Sequence, residues 1–338
     1  MKTAVVILNW NGRKLMERFL PSLLPTLNEN AKLIVADNAS SDQSTDWLQE
    51  KYDSIEIIQN GSNLGFAEGY NQALNGLEAS YYLLLNSDVE VTPGWLEPLV
   101  SAMDSNPQLG ACQPKILWEK EKTRFEYSGA AGGFIDVLGY PFCRGRIFGT
   151  LELDHGQYDQ ACEIFWASGA CLMVRADVFR KANGFDGDFF AHMEEIDLCW
   201  RIRNLGYSIQ CIPSSTVYHV GGATLPKNNA RKTFLNFRNN LSMLWKNLPA
   251  TQLPWVIFLR LILDGVAGIK FITEGHFKDC MAVIKAHFSF YYRIITGKLV
   301  RASGEKKIHE TVLVGSLVWQ HYVMGIKKFS DLKFKIRN

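Results

Sequence analysis

The sequence predicts an α/β fold in which a sheet carries helices on both faces, followed by a basic, amphipathic helical region at the C-terminus. Two observations carry this reading. Short apolar runs at Ala4–Leu8, Lys32–Ala36, Ile55–Ile58 and Tyr81–Leu85 alternate with stretches of helical periodicity, a pattern that makes neighbouring strands parallel and covers the sheet on both sides. Charge then divides the chain. Residues 223–338 hold 19 Lys and Arg against 6 Asp and Glu, or +13, and residues 1–222 hold 17 against 28, or −11, within a net charge of +2. Such a split suggests two parts with different partners, 1–222 and 223–338.

The 338 residues suffice for one large α/β domain and something smaller. No stretch of about 18 uncharged apolar residues occurs, so no spanning helix is expected. The N-terminus runs directly into a strand without a small-residue cleavage site, and seven scattered cysteines lack a C-x-x-C pair. Both features fit a cytoplasmic protein without a signal peptide.

The elements follow in order. The first strand ends in the polar loop Asn9–Gly12, and Lys14–Leu27 has helical spacing made irregular by Pro21 and Pro25. The second strand ends at Asp37-Asn38, after which Ser44 is placed to cap a helix carrying Trp47 and Leu48. A third strand leads through the turn Asn60–Gly65 to a helix over Phe66–Leu77. The strand Tyr81–Leu85 stops at Asn86-Ser87-Asp88, and Thr92-Pro93-Gly94 reads as the start of the next helix. Tyr127–Gly156, rich in glycine, reads as an irregular insert. Glu163–Val174 is a strand broken at Ser168-Gly169, Glu194–Leu205 is a helix, and Tyr207–Ile212 is a strand followed by Ser215–Val220. Lys232–Leu248, Pro254–Ile272 and Phe277–Ile295 are helical, basic and rich in aromatic residues.

Every strand in the first part ends in Asn, Asp, Ser or Gly. Parallel strands bring such ends to one edge, where open α/β sheets bind ligands. Asp37 is suited to accept from a base or ribose, and amides after Gly65 are suited to phosphate oxygens at a helix start. Neither G-x-G-x-x-G nor a P-loop is present. Asp88 is either part of a capping turn or a hard oxygen ligand for Mg²⁺ or Mn²⁺ on a diphosphate. Glu194, Glu195 and Asp197 stand within four positions. Capping accounts for one of them, whereas clustered like charges raise one another's pKa toward that of a general base. His219, beside Gly221 and Gly222, is either a structural residue or a metal ligand.

These stretches together resemble glycosyltransferase family 2, and within it the non-processive, rhamnosyltransferase-like branch of bacterial surface-polysaccharide synthesis. The resemblance lies in VVILNWNG (Val5–Gly12), VADNASSDQS (Val35–Ser44), NLGFAEGYNQAL (Asn63–Leu74), LLLNSDVEVTPGWL (Leu83–Leu96), WASGACLMVR (Trp166–Arg175), Gly184–Tyr207 and His219–Gly222, in the family's order over Thr3–Gly222. It implies a GT-A, Rossmann-like mixed sheet. It also implies inverting, metal-assisted transfer from a nucleotide-diphosphate sugar to a saccharide hydroxyl, with the acceptor lipid-linked.

The residue roles come with the resemblance. Asn9, Asn11, Asp37, Asn38, Asn63, Gly65 and Asn71 are placed at the nucleotide. Asn86-Ser87-Asp88 stands for the family's D-x-D motif, with Asp88, Asn86 and His219 toward Mg²⁺ or Mn²⁺. Glu195 stands for the second acid of the family's E-D pair, the base, and Glu194 is the alternative. Asn86 for aspartate and Glu195 for aspartate are the two departures from the family pattern. The basic tail suits nucleic acid or anionic lipid. The implied reaction favours lipid, with a location on the inner membrane face and no nucleic-acid partner. A sugar-phosphate nucleotidyltransferase, or a non-catalytic binding protein on this fold, is the competing expectation.

Overall fold

A computed structural model describes residues 1–221, 229–302, 304, 306 and 309–332. The predicted boundary between 222 and 223 therefore lies outside the described residues, as does Gly222.

The first half alternates as expected: β1 (Thr3–Asn9), α1 (Arg13–Leu23), β2 (Ala31–Asp37), α2 (Ser44–Lys51), β3 (Glu56–Gln59), α3 (Gly65–Leu74) and β4 (Tyr81–Leu85). There follow β5 (Val89–Val91), α4 (Leu96–Ser105), β6 (Leu109–Trp118) and β7 (Glu121–Phe125). Four short strands come next: β8 (Gly133–Asp136), β9 (Pro141–Cys143), β10 (Arg146–Ile147) and β11 (Thr150–Leu151). Then come β12 (Cys162–Glu163), β13 (Cys171–Arg175), α5 (Ala176–Lys181), α6 (Glu194–Asn204) and β14 (Ser208–His219). The remainder holds α7 (Ala230–Asn247), α8 (Leu253–Thr273), α9 (Phe277–Ile295) and β15 (Val312–Leu313).

The main sheet runs β12-β14-β6-β13-β4-β1-β2-β3, with β5 on β14 and β7 on β6. Strands β3, β2, β1 and β4 are parallel, while β13 runs antiparallel to both β4 and β6. The sheet is thus mixed. Ala4 and Val6 enter one face of the core and Val5 and Ile7 the other. An apolar run without alternation marks such a strand because both of its faces are covered.

Several local expectations are corrected. Thr92-Pro93-Gly94 does not begin a helix, because Val89–Val91 is drawn into antiparallel pairing with β14 and the helix starts at Leu96. Ser44 is the first helical residue rather than the cap, since its hydroxyl already accepts from Asn9. Tyr127–Gly156 is not irregular. Its strands form a second sheet, β11-β10-β9-β8-β15, whose last member comes from the C-terminal region. Strands of two to four residues carry no periodic signal, so this sheet is invisible in the sequence. The two pieces expected over Tyr207–Ile212 and Ser215–Val220 are one strand, Ser208–His219, with irregular register. Glu163–Val174 is two strands, separated over 164–170.

The C-terminal helices extend the body. Met243, Leu244 and Leu248 of and after α7 join the core that holds Leu198 and Ile202 of α6. Among the described residues no helix is long and apolar enough to cross a membrane.

Candidate active site

Parallel register sets Asn9 beside Asp37 at the ends of β1 and β2. Asn9 Nδ2 donates to Asp37 Oδ1 at 2.8 Å, to Ser40 Oγ at 3.0 Å and to Ser44 Oγ at 2.8 Å. Asp37 Oδ2 accepts from the Ser40 amide at 2.9 Å. Asn38 donates to the Gly65 carbonyl at 2.9 Å and accepts from Asn60 at 2.7 Å. Asn11, in the left-handed region at φ 54°, accepts from the Ser41 amide at 2.7 Å. The strand ends do converge, and they are cross-linked to one another. Asn63 accepts from the Gly65 amide at 3.0 Å. Asn71 bonds the backbone of Phe185 in both directions, at 2.9 Å each.

The amides after Gly65 are not open to phosphate. Phe66 N and Ala67 N donate to the Phe190 carbonyl at 2.6 and 3.3 Å. Gly65 is required there. At φ +75°, a Cβ would stand 2.5 Å from that carbonyl oxygen.

Asp88 and His219 meet because β5 pairs with β14 in a register that puts His219 opposite Val89. His219 Nε2 lies 3.0 Å from Asp88 Oδ1 and 3.4 Å from Asn86 Nδ2. Its Nδ1 lies 3.4 Å from Glu126 Oε2. Burial alone would lower the imidazole pKa, but the Glu126 and Asp88 carboxylates push it up to about 10. For Asp88, burial acts upward and His219 wins, holding the carboxyl below its usual range. Ser87, between Asn86 and Asp88, is half-buried against Gly12. Gly221 closes over this cluster at φ +71°, where a Cβ would stand 2.6 Å from Glu126 Oε1.

Across the site, α6 begins with Glu194 and Glu195. Burial drives both carboxyls upward, with Glu195 at about 7 and Glu194, beside the Glu195 charge, well above the usual range. One oxygen of each is buried without a hydrogen-bond partner. Asp197 differs. It accepts from Lys246 at 2.9 Å and Asn247 at 2.8 Å, and Arg201 and Lys246 overcome burial to lower its pKa. Of the three acids, Asp197 holds α7, and among the described residues the two glutamates meet no cation.

The loop entering α6 is strained. Phe190, His192 and Met193 have φ of 63°, 71° and 73°, conformations that L-residues adopt only when surroundings enforce them. Asn239 of α7, fully buried, supplies that enforcement. Its Nδ2 donates to the carbonyls of Phe189, Ala191 and His192 at 2.9, 2.9 and 2.8 Å.

Sequence reasoning missed Glu126 and placed Arg146 no more closely than within the glycine-rich insert over Tyr127–Gly156. Arg146 is buried, lies 4.5 Å over the Tyr127 ring, donates to Cys143 Sγ at 3.4 Å and leaves Nε unpaired. The Cys143 thiol is raised by burial, lowered by Arg146, and raised again by both Glu126 and Glu195. Both carboxylates are thus near enough to Cys143 to act on its thiol.

Asp88 and the Asn86 carboxamide offer oxygen donors that suit Mg²⁺ or Mn²⁺, and His219 offers an imidazole donor once it gives up the proton that Asp88 and Glu126 hold on it. Among the described residues no three His, Cys, Asp or Glu side chains form a complete cage. This donor set fits a cation that takes its remaining ligands from phosphate oxygens.

A family model, glycosyl transferase family 2, matches residues 4–181. The N-acetylglucosaminyl-diphospho-decaprenol L-rhamnosyltransferase of Mycobacterium tuberculosis is 28% identical over 233 residues, 64% of this chain and 75% of its own. The low-salt glycan biosynthesis hexosyltransferase Agl10 of Haloferax volcanii is 24% identical over 281 residues, 80% of this chain and 85% of its own. The fold is similar to that of GalNAc-T7 solved with UDP, GalNAc and Mn²⁺, at a TM-score of 0.57 and 14% identity over 74% of this chain and 48% of that one. It is also similar to a mannosyltransferase of Pyrobaculum calidifontis in complex with GDP-mannose and Mn²⁺, at a TM-score of 0.51 and 12% identity over 86% and 87%.

Proposed function

The chain belongs to glycosyl transferase family 2 and has its GT-A fold, and from that we propose inverting transfer of a sugar from a nucleotide-diphosphate donor to a hydroxyl of a lipid-linked saccharide. The reading is supported by a pair of carboxyls at the start of α6 that burial raises and that meet no cation among the described residues, Glu195 acting on the same Cys143 thiol as Glu126 of the Asp88–His219–Glu126 chain. A raised carboxyl is a base matched to neutral pH. Glu195 accepts the proton of the acceptor hydroxyl, and the oxygen forms its bond to the anomeric carbon as the bond to the diphosphate breaks on the opposite face. One displacement inverts that carbon. When bound, a divalent cation held by Asp88, Asn86 and His219 supplies positive charge for the diphosphate that leaves. Asn9, Asp37 and Asn38 keep the strand-end loops in the shape that receives the nucleoside, with Asn11, Asn63, Gly65 and Asn71 bordering it.

The lipid-linked acceptor is supported by the named substrate of the mycobacterial relative. On this reading residues 1–222 form the catalytic domain. Residues 223–338 complete it and bring it to the inner face of the membrane. The test is a panel of sugar nucleotides screened for Mn²⁺-dependent binding and slow hydrolysis. Binding of at least one donor, lost in Asp88→Ala, is expected. Failure of every donor to bind, or full activity of Glu195→Gln, would overturn the reading.

A further inference from the structure

Helix α8 is turned inside out. Its two central charges face the body: Arg260 is 2% exposed and Asp264 is fully buried. Arg260 donates to Asp264 at 3.2 Å and to the Leu138 carbonyl at 3.1 Å, while Tyr140 and His287 lie 3.2 and 3.1 Å from Asp264. Its apolar side chains point outward, with Trp255 70%, Val266 58% and Ile269 63% exposed. A helix in water buries the opposite face.

Helix α9 extends the surface. Phe277, Met281, Ile284, Phe288, Tyr292 and Ile295 recur at spacings of three and four and are all exposed, while Ala282, Val283, Ala286 and Phe290 are buried behind them. Among the described residues, 14 of the 25 large exposed apolar side chains lie on α8 and α9, which pack against each other. An apolar face of this extent marks an interaction site.

The charges at its margin decide the partner. Lys270, Lys278 and Lys285 are exposed on the two helices, and Lys298 is exposed just past the end of α9. The acids there are Glu274, 3.8 Å from Lys270, and Asp279, which accepts from Thr233. A second copy packed face to face would set lysines against lysines without counter-charge. Anionic headgroups supply that charge while the apolar side chains enter the acyl boundary and the lysine stems reach back to the surface.

We propose that the outward face of α8 and α9 docks this protein on an anionic bilayer. The inference deepens the reading of a lipid-linked acceptor and rests on it for its purpose, though not for its geometry. A cavity of about 400 Å³ opens on this face between Trp255 and Leu259 and reaches Trp200 of α6, the helix that begins with Glu194 and Glu195. Its wall at Gly139 is bonded by Asn240, which also reaches Met193 in the loop entering α6. The cavity therefore joins this face to α6, the helix that carries the candidate base.

The test is co-sedimentation of the full chain with phosphatidylglycerol–phosphatidylcholine vesicles at low and high salt, with light scattering for mass. Binding to the anionic vesicles is expected, weakened by salt and by removing the phosphatidylglycerol. Lys278→Glu/Lys285→Glu and Phe288→Ser/Ile295→Ser are each expected to weaken it by roughly tenfold or more, with Mn²⁺-dependent donor binding unchanged. No binding by the wild type at low salt would overturn the proposal. So would a stable dimer that both double variants dissociate while vesicle binding persists. Vesicle binding by a protein that binds no sugar nucleotide would instead leave the surface standing and refute the transferase reading.

Discussion

The side-chain amide of Asn239 donates at 2.8 Å to the carbonyl of His192, a residue held at φ 71° two positions before Glu194. The same amide reaches two further carbonyls of that loop. The C-terminal region thereby fixes the direction in which α6 leaves the loop and the direction in which its first two carboxylates point.

Asn239→Ala removes the donor and leaves the three carbonyls to water. Left-handed residues cost on the order of 1–3 kcal/mol each unless enforced, so the loop relaxes. We expect kcat to fall by roughly 10–100-fold with the donor KM nearly unchanged, because misplacing a reacting group by about 1 Å has an effect of this size. Steady-state kinetics on a variant shown by circular dichroism to be folded checks this.

Glu195→Gln is expected to reduce the transfer rate by about 10²–10⁴-fold, the range for a lost general base. In the wild type the working form is deprotonated. Activity should therefore be present above about pH 7 and fall as pH drops through about 7. Glu194→Gln should retain a similar limb, and its loss would move the base to Glu194.

The same carboxyl carries a stability signature. Its folded-state pKa is raised, so its favourable contribution is complete below the unfolded value of 4.5 and is lost as pH rises through about 7. Glu195→Gln should melt above the wild type at pH 8, and the difference should close below pH 4.5. Scanning calorimetry at the two pH values measures it.

Asp197→Asn tests the opposite case. Its folded-state pKa is lowered, so its contribution is present above the unfolded value of 3.8 and is lost as pH falls below that. Removing one side of a buried pair costs up to about 3–5 kcal/mol, and less here because Lys246 keeps Asp186 at 2.6 Å. The midpoint of denaturant unfolding should fall at neutral pH, while the activity limb near pH 7 stays in place.

Asp88→Ala should abolish Mn²⁺-dependent binding of the nucleotide sugar in calorimetric titration, and chelator treatment of the wild type should do the same. Glu126→Gln, which loosens His219 without removing a donor from the proposed set, should weaken the cation dependence by less.

The sequence by itself determined the frame. Strands β1, β2 and β4 are apolar on both sides because both sides are covered, and that leaves a run without alternation to be read directly. Parallel order then required Asn9, Asp37 and Asn86 to share an edge. Local chemistry also located the acids of α6, without ranking them.

Tertiary structure alone decided their roles. Glu194, Glu195 and Asp197 share one helical turn, and only Asp197 meets a lysine, 49 residues away. A carboxyl's pKa depends on which charges and how much water surround it, and neither is encoded by its neighbours in sequence. Glu126 follows the end of β7 and Arg146 lies in a two-residue strand, and they gain meaning only when β14 carries His219 to the first, beside the thiol that the second holds. The outward turn of α8 is of the same kind. Its composition is amphipathic in either orientation, and the buried partners of Arg260 and Asp264 choose which side meets the solvent.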